Sequence, residues 1–170
     1  MKMNFRKLIF LVGIAVFLSS AAFAQDFKYI GAAKCKMCHN KADKGEQFNK
    51  WEAGPHAKAM QSLKGDEAKD PKCLSCHATT GHIDAKLIAT IKVDEGVSCE
   101  SCHGPGSHYK SAAIMKNRKL SLSKGMVDPT EETCKACHLG KKPDGHVAPK
   151  KPWNFAEFVK VIAHDDPTTN

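Results

Sequence analysis

Four segments of the chain share one spacing: Cys35-Lys36-Met37-Cys38-His39, Cys73-Leu74-Ser75-Cys76-His77, Cys99-Glu100-Ser101-Cys102-His103 and Cys134-Lys135-Ala136-Cys137-His138. Two cysteines three positions apart, followed at once by histidine, form the attachment pattern of a c-type haem. The thiols add across the porphyrin vinyl groups, and the adjacent imidazole reaches the iron from one face. All eight cysteines are used in this way, leaving none for a disulfide. Two four-cysteine zinc sites or four dithiol redox motifs would use the same cysteine pairs. Both leave the histidine after every pair without a task. The expectation is four covalently attached haem c groups, with His39, His77, His103 and His138 as proximal iron ligands.

Five further histidines remain: His56, His82, His108, His146 and His164. An imidazole in the sixth position keeps an iron low-spin and its geometry nearly unchanged on reduction, which suits electron transfer. Methionine there would raise the potential, so bis-histidine sites sit low on that scale. Chain geometry removes some pairings. His103 and His108 are five residues apart, at most roughly 17–18 Å when fully extended. The path round a porphyrin rim is longer, and Gly104-Pro105-Gly106 prevents full extension. His108 therefore belongs to a different haem, and a tight segment links two haems. The same reasoning keeps His82 from closing the His77 haem. Met60, Met115 and Met126 read as packing residues rather than ligands.

The elements that must position these groups are short. Helices are expected over about Lys41 to Glu52, Pro55 to Leu63 and His108 to Asn117, with Pro55 suited to a first helical turn. Lys64 to Lys72 reads as a charged surface connection, and Leu87 to Val93 as a short strand. Asp128-Pro129-Thr130-Glu131-Glu132 marks the start of a helix carrying the fourth motif. Lys141 to Pro152 is proline-rich and irregular. A final helix, about Phe155 to Ala163, has Asn154 as its cap, with Phe155, Phe158, Val159 and Ile162 on one face. The fold class expected is mainly α with extensive coil: one domain wrapped round four haems.

Lys2, Arg6 and Lys7, the apolar run Leu8 to Leu18, and Ala22-Phe23-Ala24 read as a secretory signal peptide over residues 1–24. The apolar run is short for a membrane anchor. The mature chain, 25–170, would be soluble and periplasmic. It allots about 36 residues to each haem, too few to build a conventional apolar core as well. The porphyrins must do much of the filling, and the chain should stay unfolded without them. The formal charge is +8, of which the leader carries +3. With each ferric haem contributing about −1 through its propionates, the holoprotein lies near +1. Lysines still cluster at Lys116-Asn117-Arg118-Lys119, Lys141-Lys142 and Lys150-Lys151. Such clusters suit a redox partner with an acidic docking face. Scarce aromatics, not interleaved with the charge, argue against nucleic acid.

Gly96-Val97-Ser98-Cys99-Glu100-Ser101-Cys102-His103-Gly104-Pro105-Gly106 resembles the third haem site of the tetrahaem cytochrome c-554 family. Trp51 with His56-Ala57-Lys58-Ala59-Met60 resembles that family's Trp…His-Ala-Lys-Ala-Met segment. Glu132 to Leu139 and Phe155 to His164 resemble its fourth site and C-terminal helix, so the likeness spans most of the mature chain in order. It implies three bis-histidine haems and an open second one. By the same resemblance, His56 serves the third haem, His108 the first and His164 the fourth. The chain departs from the pattern in a shorter gap after His103 and in two additional histidines, His82 and His146. Two alternatives therefore stand for the His77 haem: open, or closed by His146.

The leading expectation is an electron carrier rather than an enzyme, passing electrons from a periplasmic oxidase or dehydrogenase to a membrane quinone oxidoreductase or cytochrome as a transient acceptor; the resemblance implies hydroxylamine oxidoreductase as one such donor. The rivals are reduction of a small ligand such as nitric oxide at an open second haem, and a subunit of a larger redox assembly.

Overall fold

A computed structural model describes residues 26–147 and 151–164. The expected signal peptide and the mature start at Gln25 lie outside the described residues, as does Lys150. The described chain is mainly helical with extensive coil, as expected, and its longest helices have eight residues.

The α-helices are α1 (Ala32–His39), α2 (Gln47–Ala53), α3 (Pro71–His77), α4 (Cys99–His103), α5 (Ala112–Met115), α6 (Arg118–Ser123), α7 (Glu131–His138) and α8 (Phe155–Ile162). Four of them, α1, α3, α4 and α7, end on the histidine of a Cys-x-x-Cys-His motif. The spacing explains why a helix suits the motif. Residues three and four apart lie on one helical face, so both thiols and the imidazole emerge together.

Several elements differ from expectation. The helix expected over 41–52 is broken, because Gly45 (φ 91°) and Glu46 (φ 53°) are both left-handed. A 3₁₀ turn (Ala42–Lys44) precedes that break and α2 follows it. Residues 55–63 form turns and a 3₁₀ segment (Ala59–Ser62) rather than an α-helix. There the His56 carbonyl accepts the Val97 N–H (3.0 Å) and the Ala59 N–H (3.2 Å), replacing the α-helical ladder. The stretch 87–93 is no strand: Tyr29 and Ile88 make an isolated parallel bridge, with Tyr29 N–H on Leu87 O at 2.8 Å. A single pairing partner of that length cannot support a ladder.

Pro71, expected in a surface connection, instead opens α3. Its absent N–H is harmless there, and Asp70 caps the helix by accepting the Lys72 N–H at 2.8 Å. Asp70→Ala is expected to destabilise the holoprotein by about 1 kcal/mol, read from the shift in its denaturation midpoint. The helix expected to end at Asn117 is α5 alone. Asn117 then caps the unexpected α6, accepting the Leu120 N–H at 3.0 Å. The C-terminal reading held: Asn154 accepts the Glu157 N–H at 3.2 Å at the start of α8.

The apolar core is small. Among the described residues the buried apolar side chains are Ile30, Ala32, Phe48, Ala78, Ile91 and Tyr109. Much of the rest of the interior is polar and fully satisfied. Thr79 is completely buried. Its hydroxyl meets the hydroxyls of Ser98 (3.1 Å) and Ser101 (2.7 Å) and accepts the Ser98 N–H (2.8 Å). That cluster fastens the segment after α3 to α4, and so the second motif to the third.

Candidate haem centres

None of the eight cysteines is in a disulfide. The motifs converge: the thiols of Cys35 and Cys99 lie close enough to perturb each other's ionisation, and Cys76 lies close enough to perturb that of Cys137. Cys102 is close enough to feel Cys134 and Cys137 electrostatically.

Three motif histidines have one ring nitrogen committed to an acceptor. His77 Nδ1 donates to Ala59 O at 2.9 Å, with the Ser62 hydroxyl at 3.1 Å. His103 Nδ1 donates to Val127 O at 3.2 Å. His39 Nδ1 lies 3.2 Å from Gln47 Oε1. The Gln47 amide NH2 donates to Lys44 O, so its oxygen must accept from His39. An Nδ1–H held by an acceptor fixes the tautomer that leaves Nε2 with its lone pair for a metal. The residues therefore fit the group that the motifs demand.

Three of the five remaining histidines face motif histidines. The ring centres of His56 and His138 are 6.1 Å apart, those of His103 and His164 5.8 Å, and those of His77 and His146 6.4 Å. Each pair joins one motif histidine to one outside the motifs. Metal–nitrogen bonds of about 2 Å on both sides of an iron would set ring centres roughly 6 Å apart. Burial holds the pKa values of His56, His103 and His164 below the ordinary imidazole range. The neutral ring, the form that coordinates, is favoured as a result.

Two pairings differ from those the resemblance implied. His56 stands against His138 of the fourth motif, not against the third. Its backbone is fastened at Val97 beside the third motif, but the ring turns to the neighbouring site. His164 stands against His103, not His138. Phe158 of α8 stacks on His138 (6.0 Å), and Trp153 meets the same ring at a tilt (5.1 Å), so that helix does serve the fourth site. Six residues of near-helical rise carry the chain about 9 Å further, and His164 arrives at the next centre.

His108 lies on the 3₁₀ turn Gly106–His108, with its ring 4.8 Å from Phe27. That turn runs beside the lead-in to α1: Ser107 N–H donates to Lys28 O (3.2 Å) and Lys28 N–H to the Ser107 hydroxyl (2.9 Å). His108 is thereby placed near the first motif, in keeping with its expected partner His39. His82, itself exposed, ends the 3₁₀ turn Thr79–His82 just after α3, and it forms no ring pair among the described residues.

Glu100, read in sequence only as a variable position of the third motif, is the main residue that motif analysis missed. It is 2% exposed. Its Oε1 accepts N–H groups of Gly106 (2.6 Å) and Ile30 (3.0 Å), and its Oε2 those of Gly31 (2.7 Å) and Ile30 (2.9 Å). Burial pushes its pKa up, and the N–H donors of Gly106, Ile30 and Gly31 oppose that push. This carboxyl joins the His108 turn, α4 and the chain entering α1. The sequence signal was an acid between two haem cysteines, a position with no duty in the motif itself.

Trp51 performs a similar task for His56. Its indole N–H donates to Val97 O at 2.8 Å, and its ring meets Phe48 edge-on at 5.3 Å. Gly96 (φ 66°) must be glycine, because a Cβ there would lie 2.6 Å from His56 O. Trp51→Ala is expected to cost about 3 kcal/mol and to shift part of one haem to high spin as His56 loosens. Trp51→Phe, losing the hydrogen bond alone, should cost about 1 kcal/mol. Absorbance of the oxidised variants reads both effects.

The basic clusters are partly structural. Arg118 pairs with Asp128, and Lys142 Nζ donates to His138 O (2.9 Å) and Gly140 O (3.0 Å).

Paired imidazoles, tautomer-fixing acceptors and helices ending on each motif histidine define a c-type cytochrome with covalently attached haem c. The family described as Cytochrome c554 and c-prime matches residues 34–104. Cytochrome c-554 of Nitrosomonas europaea is 33% identical over 196 aligned positions, covering 89% of this chain and 81% of that protein. No solved structure matches the chain. The chain belongs to the cytochrome c-554 family, whose members are electron-transfer proteins. None of the helices among the described residues is long and apolar enough to cross a membrane.

Proposed function

We propose that the protein is a periplasmic tetrahaem cytochrome that carries electrons between a redox enzyme and a second, membrane-bound or soluble, acceptor. The observation that carries this reading is the pairing of motif and non-motif histidines, His56 with His138 and His103 with His164. Imidazole on both faces favours an iron that exchanges electrons without exchanging ligands. When attached, haem c supplies a one-electron acceptor and donor at each motif. The chain holds the ligands in fixed tautomers, through Ala59, Val127 and Gln47, so that little need move on reduction.

The attachment thiols lie within electrostatic range of one another in the order first, third, fourth and second motif. That order supports a continuous route whose ends are the Cys35–His39 and Cys73–His77 sites. Lysines with no ion pair among the described residues, Lys116 and Lys119 among them, would meet an acidic partner, and a hydroxylamine oxidoreductase-like donor fits the family likeness.

Stopped-flow reduction of the oxidised holoprotein by a reduced redox protein with an acidic face tests this. The second-order rate should fall severalfold between about 10 mM and about 300 mM salt as charges are screened. A rate indifferent to salt contradicts the docking, and failure to reduce every haem contradicts the carrier.

A further inference from the structure

We infer that His146 is the sixth ligand of the haem held by Cys73, Cys76 and His77, so that this site is closed. The inference rests on the tetrahaem reading above and concerns the centre that the family likeness would leave open.

The His77 and His146 rings are 6.4 Å apart with an interplanar angle of 56°. The pairs His56–His138 (6.1 Å, 59°) and His103–His164 (5.8 Å, 45°) have nearly the same geometry. Incidental ring contacts would not sort themselves so that each takes one motif histidine and one other. Commitment of His77 Nδ1 to Ala59 O leaves Nε2 as its metal-binding atom.

The loop bearing His146 is built to deliver it. Lys142 Nζ ties the loop's start to the end of α7 through His138 O and Gly140 O. The chain then reverses over Pro143-Asp144-Gly145-His146. His146 N–H donates to Pro143 O at 3.2 Å, and Gly145 holds φ 82° while Asp144 keeps a negative φ. This is the pattern of a type II turn, which demands glycine at its third position. The reversal carries His146 from the fourth site across to the second. The adjacency of Cys137 and Cys76 shows that those two sites are neighbours, so a short loop suffices. His82, five residues after His77, is too near in sequence to reach round the same porphyrin.

The test is the spin state of the intact holoprotein. The oxidised wild type should contain low-spin haem alone by electron paramagnetic resonance, and the reduced protein should bind no carbon monoxide. His146→Ala should convert one haem in four to high spin and admit one carbon monoxide per chain. Added imidazole should restore the low-spin signal, and His82→Ala should change nothing. A high-spin haem in the wild type, or a His146→Ala protein that stays wholly low-spin, overturns the inference. Haem content is measured on the same samples. Fewer than four haems per chain would contradict the tetrahaem reading itself, whereas four haems with one high-spin in the wild type overturns the role of His146 alone.

Discussion

Glu100→Ala is expected to destabilise the holoprotein by about 4 kcal/mol, the largest loss for any single side chain outside the haem ligands and attachment cysteines. Each buried N–H left without an acceptor costs about 1–3 kcal/mol, and removal of this carboxyl strands three of them, on Ile30, Gly31 and Gly106. At a residue only 2% exposed, these donors lose their acceptor away from bulk water. Glu100→Gln should cost about half as much, since both carboxyl oxygens accept and the amide nitrogen would face a donor. Guanidinium denaturation followed by Soret circular dichroism measures both. A loss below about 1 kcal/mol for the alanine variant would contradict the role assigned to the carboxyl. The same substitution should loosen the turn carrying His108, so the His39 haem is where a spin-state change would follow.

The second large effect is removal of the haems. The chain produced without haem attachment is expected to show no cooperative unfolding transition by far-ultraviolet circular dichroism. The six buried apolar side chains among the described residues cannot offset the entropy of ordering them. The helices among the described residues are at most eight residues long, and isolated helices shorter than about 12–15 residues are marginal in water. A sharp thermal transition in the apoprotein would show that the polypeptide has a core of its own.

What could be read from the sequence follows the range of the interaction that decides it. The helix of the fourth motif and the Asn154 cap depend on near neighbours, and they are legible in the sequence; the helices that carry the first three motifs are not, because their short runs lack so strong a start signal. The break at Gly45-Glu46 was also local, but two successive left-handed residues, one of them glutamate, carry no strong signature. The stretch 87–93 has an alternating pattern yet finds only Tyr29 to pair with, which no local pattern records. Ligand pairing is the least legible layer. His56 is anchored beside one motif while its ring stands against the histidine of another, and His164 lies beyond a helix that packs on His138. Backbone anchorage and ring direction diverge at both positions, so motif matching assigned them to each other's centres. For His108 the lead-in to α1 and the Gly106–His108 turn are joined directly, which brings its turn beside the first motif.

Intact mass of the mature holoprotein, with a thiol count on the same sample, tests the central claim most directly. The account predicts a chain beginning at Gln25, four haems attached, and no thiol left to react. Three or fewer haems, free thiols, or zinc in their place would contradict it.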